Sequence, residues 1–263
     1  MDTVVSEDGT TIAFDRTGEG PVVILVGGAL STRESAAPLA AELAPRLSVV
    51  AYDRRGRGGS SDTPPYAVAR EIEDLAALIE TVGGSAFVLG HASGAALALE
   101  AAAEGLPIGR LALYEPPFIV GDLRAPVPPD YPERLRALLR AERKGDAVAL
   151  FLTEAAGLSP EQVAHMRAAS FWAATEAVAH TLLYDAAIMG ENMHGGNFPP
   201  RTFAGVHVPA LVLDGGASPA WARHAVQAVA NALPLGERRT LPGQDHSADP
   251  DVLAPVLVDF FTN

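Results

Sequence analysis

The sequence predicts an α/β fold: a mostly parallel central sheet with helices on both faces and a helical segment inserted after the sixth strand. Three observations carry this reading. Short apolar β-type runs alternate with helix-period segments from residue 22 to 114, the rhythm of a parallel sheet. From about Pro116 to Pro200 the strand signal stops and helical stretches follow one another, and from Ala210 the alternation resumes. A length of 263 residues suits one domain with an insertion, so the core is expected at 1–117 and 201–263 and a helical cap, or lid, at 118–200.

Taken in order, Val4 to Val5 and Thr11 to Phe14, joined by Glu7-Asp8-Gly9, read as a hairpin, and Val22 to Val26 as a buried strand ended by Gly27-Gly28. A helix near Ala36 to Leu43, a strand Leu47 to Tyr52, a loop Asp53 to Asp62 and a helix Val68 to Thr81 follow. The strand Ala86 to Leu89 then runs into the small-residue helix Ser93 to Ala103, and Arg110 to Tyr114 forms the sixth strand. The insertion shows helical stretches at Pro132 to Arg143, Asp146 to Glu154, Pro160 to Ala169 and Ala173 to Met189. After it come strand Ala210 to Asp214, helix Pro219 to Leu233, strand Arg238 to Leu241 and helix Val252 to Phe261.

Composition narrows the function. Nineteen basic against 32 acidic residues give a net charge of −13, which opposes phosphate backbones and anionic lipid surfaces, so neither nucleic acid nor membrane is expected as a partner. No apolar run approaches 18 residues, and the start of the chain lacks a basic region followed by an apolar one; a cytoplasmic protein is expected. The absence of cysteine excludes a thiol nucleophile and thiolate metal sites. No cofactor or metal is implied, and the expected partner is a small-molecule substrate bound by a monomer or homodimer.

The chemistry concentrates at strand ends. Gly90-His91-Ala92-Ser93-Gly94 has the form G-x-S-x-G with alanine at the reacting position. Such an elbow needs small residues two before and two after its centre, where a strand turns sharply into a helix. His246, past the last strand, stands where a general base belongs. Glu115 ends the sixth strand at the same sheet edge and would orient it, with Asp214, after the next strand, in reserve; Ser218 lies where an acid could also stand. An oxyanion needs two backbone N–H groups, one from Ser93 and one from Gly28 or Ala29. Phe118, Phe151, Phe171, Trp172, Tyr184 and Met189 of the insertion are the candidates for lining an apolar pocket. A dinucleotide-binding reading fails because Gly27-Gly28-Ala29-Leu30-Ser31-Thr32 lacks G-x-G-x-x-G.

On Val26-Gly27-Gly28-Ala29, Tyr52-Asp53-Arg54-Arg55-Gly56-Arg57-Gly58, Gly90 to Gly94 and His246, the chain resembles the α/β-hydrolase-fold superfamily over essentially its full length. The resemblance implies the α/β-hydrolase fold and an ester- or lactone-hydrolase type of activity. Members that place the acid after the sixth strand, as some lactone hydrolases and haloalkane dehalogenases do, fit Glu115. The departures are Ala92, Ser218 and the lack of a histidine before the oxyanion glycine. Ala92 reads as a serine-to-alanine replacement that leaves a hydrolase inactive but otherwise complete. The alternatives are a lyase, isomerase or cyclase using His246 as acid or base, and a silent ligand-binding protein.

Overall fold

The computed structural model describes residues 1–196 and 203–263. Eight strands form one sheet: β1 (Asp2–Val5), β2 (Thr11–Thr17), β3 (Val22–Val26), β4 (Ser48–Tyr52), β5 (Ala86–His91), β6 (Ile108–Tyr114), β7 (Ala210–Gly215) and β8 (Gly236–Leu241). Their order across the sheet is β1-β2-β4-β3-β5-β6-β7-β8. The β1–β2 and β2–β4 pairs are antiparallel and the rest parallel.

Alternation along the strands divides the apolar side chains between two cores. Val23, Leu25, Val49, Ala112, Leu211 and Leu213 face one side, with α1 (Ala37–Leu43) and α10 (Pro250–Thr262) packed over them. Ile24, Val26, Val50, Leu111, Leu113 and Val212 face the other, covered by α2 (Val68–Thr81), α3 (Ser93–Ala103) and α9 (Ala220–Ala232). Successive strand residues point to opposite faces, so an unbroken apolar run serves both cores at once. Each fully buried Val, Leu or Ile contributes about 1.5–3 kcal/mol.

Strand order reverses between β3 and β5. After β3 the chain moves outward to β4, then returns to place β5 on the other flank of β3. The carboxyl ends of β3 and β5 therefore border the crevice where an open α/β sheet receives its ligand. Those two ends carry Gly27-Gly28 and the 90–94 elbow.

Between β6 and β7 lie α4 (Tyr131–Arg140), α5 (Lys144–Leu150), α6 (Pro160–Arg167), α7 (Trp172–Ala177) and α8 (Leu182–Met189). The junction expected at 200/201 falls outside the described residues. Two expected helices are interrupted. The stretch 146–154 opens after α5 into a wider turn at Phe151–Ala155, where Ala156 N–H reaches the Phe151 carbonyl. The stretch 173–189 divides into α7 and α8 around a 3₁₀ turn at Ala179–Thr181. There the Thr181 hydroxyl donates to the Val178 carbonyl, a local bond that competes with the helix, and accepts from Arg57 Nε. α8 packs on α3 and α2 and so reaches the core beside the elbow. Among the described residues no helix is long and apolar enough to cross a membrane.

Candidate active site

The elbow is built by two close approaches. A β-carbon on Gly90 would lie 2.5 Å from Ala95 Cα, and one on Gly94 would lie 2.2 Å from the Val26 carbonyl oxygen. Only glycine lets the helix start so tightly against its own strand and β3. Between them Ala92 has φ 51° and ψ −124°, and its N–H donates to the Tyr114 carbonyl at 3.0 Å. Leu30, Ala92, Glu115 and Glu142 are the non-glycine residues with positive φ among those described. Three of the four belong to the elbow, the loop after β3 and the acid position, the concentration of backbone strain expected at a working site.

His246 Nδ1 lies 2.8 Å from Glu115 Oε2. The other carboxylate oxygen, Oε1, accepts from Gly215 N–H at 2.8 Å and from Ser218 Oγ at 2.5 Å. Burial pushes the Glu115 carboxyl up, but the bonds from His246, Ser218 and Gly215 outweigh it and hold the group below its ordinary value. An ionised carboxylate only accepts, so Nδ1 of His246 carries a proton, and in the neutral imidazole the lone pair sits on Nε2. Glu115 is buried while the His246 side chain is 52% exposed, which leaves the imidazole within reach of a ligand.

Asp214, the reserve acid, is fully buried but turned elsewhere: it pairs with Arg238 and accepts from Thr240. The acid paired with His246 is therefore Glu115, and Ser218 serves it as a donor. His91 donates from Nε2 to the His246 carbonyl at 2.9 Å, and the two rings lie 4.7 Å apart. Burial, then the neighbouring His246, push its pKa down to about 4, so it is neutral near pH 7.

The loop after β3 rests directly on the elbow, since a β-carbon on Gly28 would come within 2.9 Å of Ala92 Cβ. The Gly28 carbonyl accepts from Arg57 Nη1 at 2.6 Å and from Ser31 Oγ at 2.7 Å. In a trans peptide the following N–H points opposite to that carbonyl, so Ala29 N–H is directed away from Arg57. Ser93, first residue of α3, has no intrahelical acceptor for its N–H. Of the two expected loop donors, Ala29 is thus the one whose N–H lies on the side of the peptide opposite Arg57.

The expected pocket residues are placed differently. Phe118, Trp172 and Met189 are buried in the core and Phe151 packs against it. Trp172 donates to Glu176, and Tyr184 stacks on Tyr66 while its hydroxyl donates to Asp62. Phe171 is exposed. Two cavities, of about 340 and 370 Å³, open elsewhere, and none of these residues lines them; their walls include Leu138 and Leu150 in one, and Arg124 and Trp221 in the other.

Sequence reasoning missed a buried ionic cluster beneath the site. Arg54 makes a two-pronged pair with Glu71 and donates to Asp185 of α8, and Arg57 donates to the other Asp185 oxygen at 2.7 Å. Asp185 also accepts from Ser93 Oγ at 2.7 Å. A signal was available, because Asp185 is the one acid in the apolar stretch Leu182–Met189.

A strained turn that opens a helix and a histidine held by a buried carboxylate, at the strand ends of this sheet, fit the α/β-hydrolase class. The chain belongs to the alpha/beta hydrolase family, whose model matches residues 22–256. It is 59% identical to an alpha/beta hydrolase from Sphaerobacter thermophilus DSM 20745, with a TM-score of 0.94 over 99% of this chain and 100% of that one. An enol-lactonase from Burkholderia xenovorans LB400 shares the fold at 21% identity and a TM-score of 0.72, covering 100% of both chains. N-formylmaleamate deformylase of Pseudomonas putida (strain KT2440) is 34% identical over 122 residues, 45% of this chain and 44% of that protein. The chain thus matches less than half the length of that curated relative.

Proposed function

We propose that the chain carries the site of a carboxylic ester or lactone hydrolase acting on a small-molecule substrate, with Ala92 in the position of the serine nucleophile. The 2.8 Å pair between His246 Nδ1 and Glu115 Oε2 carries this reading, because a donating Nδ1 puts the lone pair of the neutral imidazole on Nε2, the atom that acts as base. In this reading residues 118–200 act as a cap over the site.

With serine at 92, His246 would take the hydroxyl proton as Oγ attacks the substrate carbonyl carbon. Ser93 and Ala29 N–H would donate to the oxyanion, and His246 would return the proton to the leaving oxygen. Water, deprotonated by His246, would then attack the acyl carbon, and His246 would return that proton to the serine Oγ as the acyl–oxygen bond breaks. With alanine no acyl-enzyme forms, while the oxyanion donors and the base remain. The name of the 34% identical deformylase extends the reading to amide-type bonds, so the test should include them.

The experiment is Ala92→Ser, assayed beside the unaltered chain on short aryl esters, lactones and N-formyl amides. The serine form is expected to gain on the order of 10⁶-fold in kcat over the alanine form, the scale of a lost serine nucleophile. Equal inertness of both forms would sink the proposal. Turnover of another compound by the unaltered chain, lost in His246→Ala, would replace it with acid–base chemistry at His246.

A further inference from the structure

We propose that Asp185, carried by the helical insertion, and Arg57 are positioning residues that hold both oxyanion donors of the site in place. The inference rests on the hydrolase reading above and extends it to the buried cluster that this reading does not use.

The Asp185 carboxylate divides its contacts between the two halves of the oxyanion hole. Oδ1 accepts from Ser93 Oγ at 2.7 Å, which anchors the residue whose N–H is one donor. Oδ2 accepts from Arg57 Nη2 at 2.7 Å, while Nη1 of the same guanidinium donates to the Gly28 carbonyl at 2.6 Å and to the Ser31 carbonyl at 3.3 Å. A single carboxylate thus reaches the first donor through one bond and the second through one guanidinium. Arg54 supports the frame, donating to Asp185 Oδ1 and to the Gly27 carbonyl. Arg54, Arg57, Glu71, Ser93, Thr181 and Asp185 are all at most 4% exposed, so water does not compete for these bonds.

Two consequences follow for the chemistry. The Gly28–Ala29 peptide is planar, so fixing its carbonyl on Arg57 fixes the direction of Ala29 N–H. A cation bonded to that carbonyl also polarises the peptide and makes Ala29 N–H a stronger donor to a developing negative charge. Asp185 supplies the counter-charge and, together with Thr181 and the Ser31 carbonyl, the contacts that keep Arg57 on Gly28. Burial pushes the Asp185 carboxyl up, but Arg57, Arg54 and Ser93 together hold it below its ordinary value, so the counter-charge is present at neutral pH.

The test uses Asp185→Asn in two settings. In the Ala92→Ser form, kcat is expected to fall about 10- to 100-fold while KM changes less than about threefold, the mark of an interaction realised in the transition state. In the unaltered chain, amide hydrogen exchange of residues 27–31 is expected to quicken about tenfold or more, with the 236–241 strand unchanged. Ser93→Ala, which removes one bond and keeps the N–H, guards against a misfolded Asn variant and should lower kcat about tenfold with the same split. An unchanged kcat, a change confined to KM, or uniformly faster exchange in both segments would overturn the inference. Should Ala92→Ser hydrolyse nothing, the proposed function fails, and local exchange at 27–31 alone decides this one.

Discussion

Ala92 occupies φ 51°, ψ −124°, a conformation that costs a residue with a Cβ about 1–3 kcal/mol. Glycine at 92 would relieve most of this and give back part of it in chain entropy, so Ala92→Gly should stabilise the fold by about 1 kcal/mol, a rise in Tm of about 2–4 °C by calorimetry. An unchanged or lower Tm would show the turn to be relaxed. At Glu115, replacement by Gln in the Ala92→Ser form removes the acceptor that sets the His246 tautomer, and kcat should fall on the order of 10³- to 10⁴-fold. His91 and Glu115 set the acid sensitivity of the fold. His91 titrates near 4 in the fold against 6.5 ordinarily, so between those values the unfolded chain binds the extra proton and stability drops as pH falls. Glu115 is held below 4.5, so it stabilises the fold above that pH and the contribution is lost as pH falls through its lowered value. Urea unfolding at pH 7, 5 and 4 should show His91→Gln flattening the loss between 6.5 and 4.5 and Glu115→Gln flattening it below 4.5. Parallel curves for both variants and the parent would contradict these assignments.

At the scale of elements the elbow depends on contacts with backbone, which cannot step aside. The Val26 carbonyl oxygen 2.2 Å from a β-carbon at position 94 means that Gly94→Ala must push α3 off β3, at a cost of about 2–3 kcal/mol. Chemical denaturation would register it; a loss below about 0.5 kcal/mol would mean that the helix start yields. Elements of this kind were legible in the sequence. The helices Val68–Thr81 and Ser93–Ala103 are bounded by strong local signals, and Glu115 was findable because Tyr114-Glu115-Pro116-Pro117 ends a strand abruptly. The break in the expected 173–189 helix lies where Thr181 meets both the nearby Val178 carbonyl and Arg57, and the second partner is far away in the chain. Distance likewise hid the ionic cluster: Asp185 lies 131 positions from Arg54 and 128 from Arg57, and periodicity carries no information about which distant charges will meet. The aromatics of the insertion are ambiguous in sequence for the opposite reason, since an apolar helix face has the same pattern whether it covers a core, where Phe118, Trp172 and Met189 lie, or a ligand.

Over the whole molecule, the reversal of strand order gathers residues from five separate stretches at one crevice: the 27–31 loop, the elbow, Glu115, Gly215 to Ser218 and His246. The insertion contributes to that gathering from beneath, because two arginines of the core find half of their counter-charge on α8. Breaking such a buried pair by removing one member typically costs about 3–5 kcal/mol. Modularity is the casualty of that arrangement. A chimera in which the insertion is exchanged for that of another family member would leave Arg57 without a carboxylate and Arg54 with Glu71 alone, unless the incoming segment brought a carboxylate to the same spot. The interchangeable part of this molecule is therefore smaller than its helical insertion, and any recombination scheme would have to cut on the far side of residue 185.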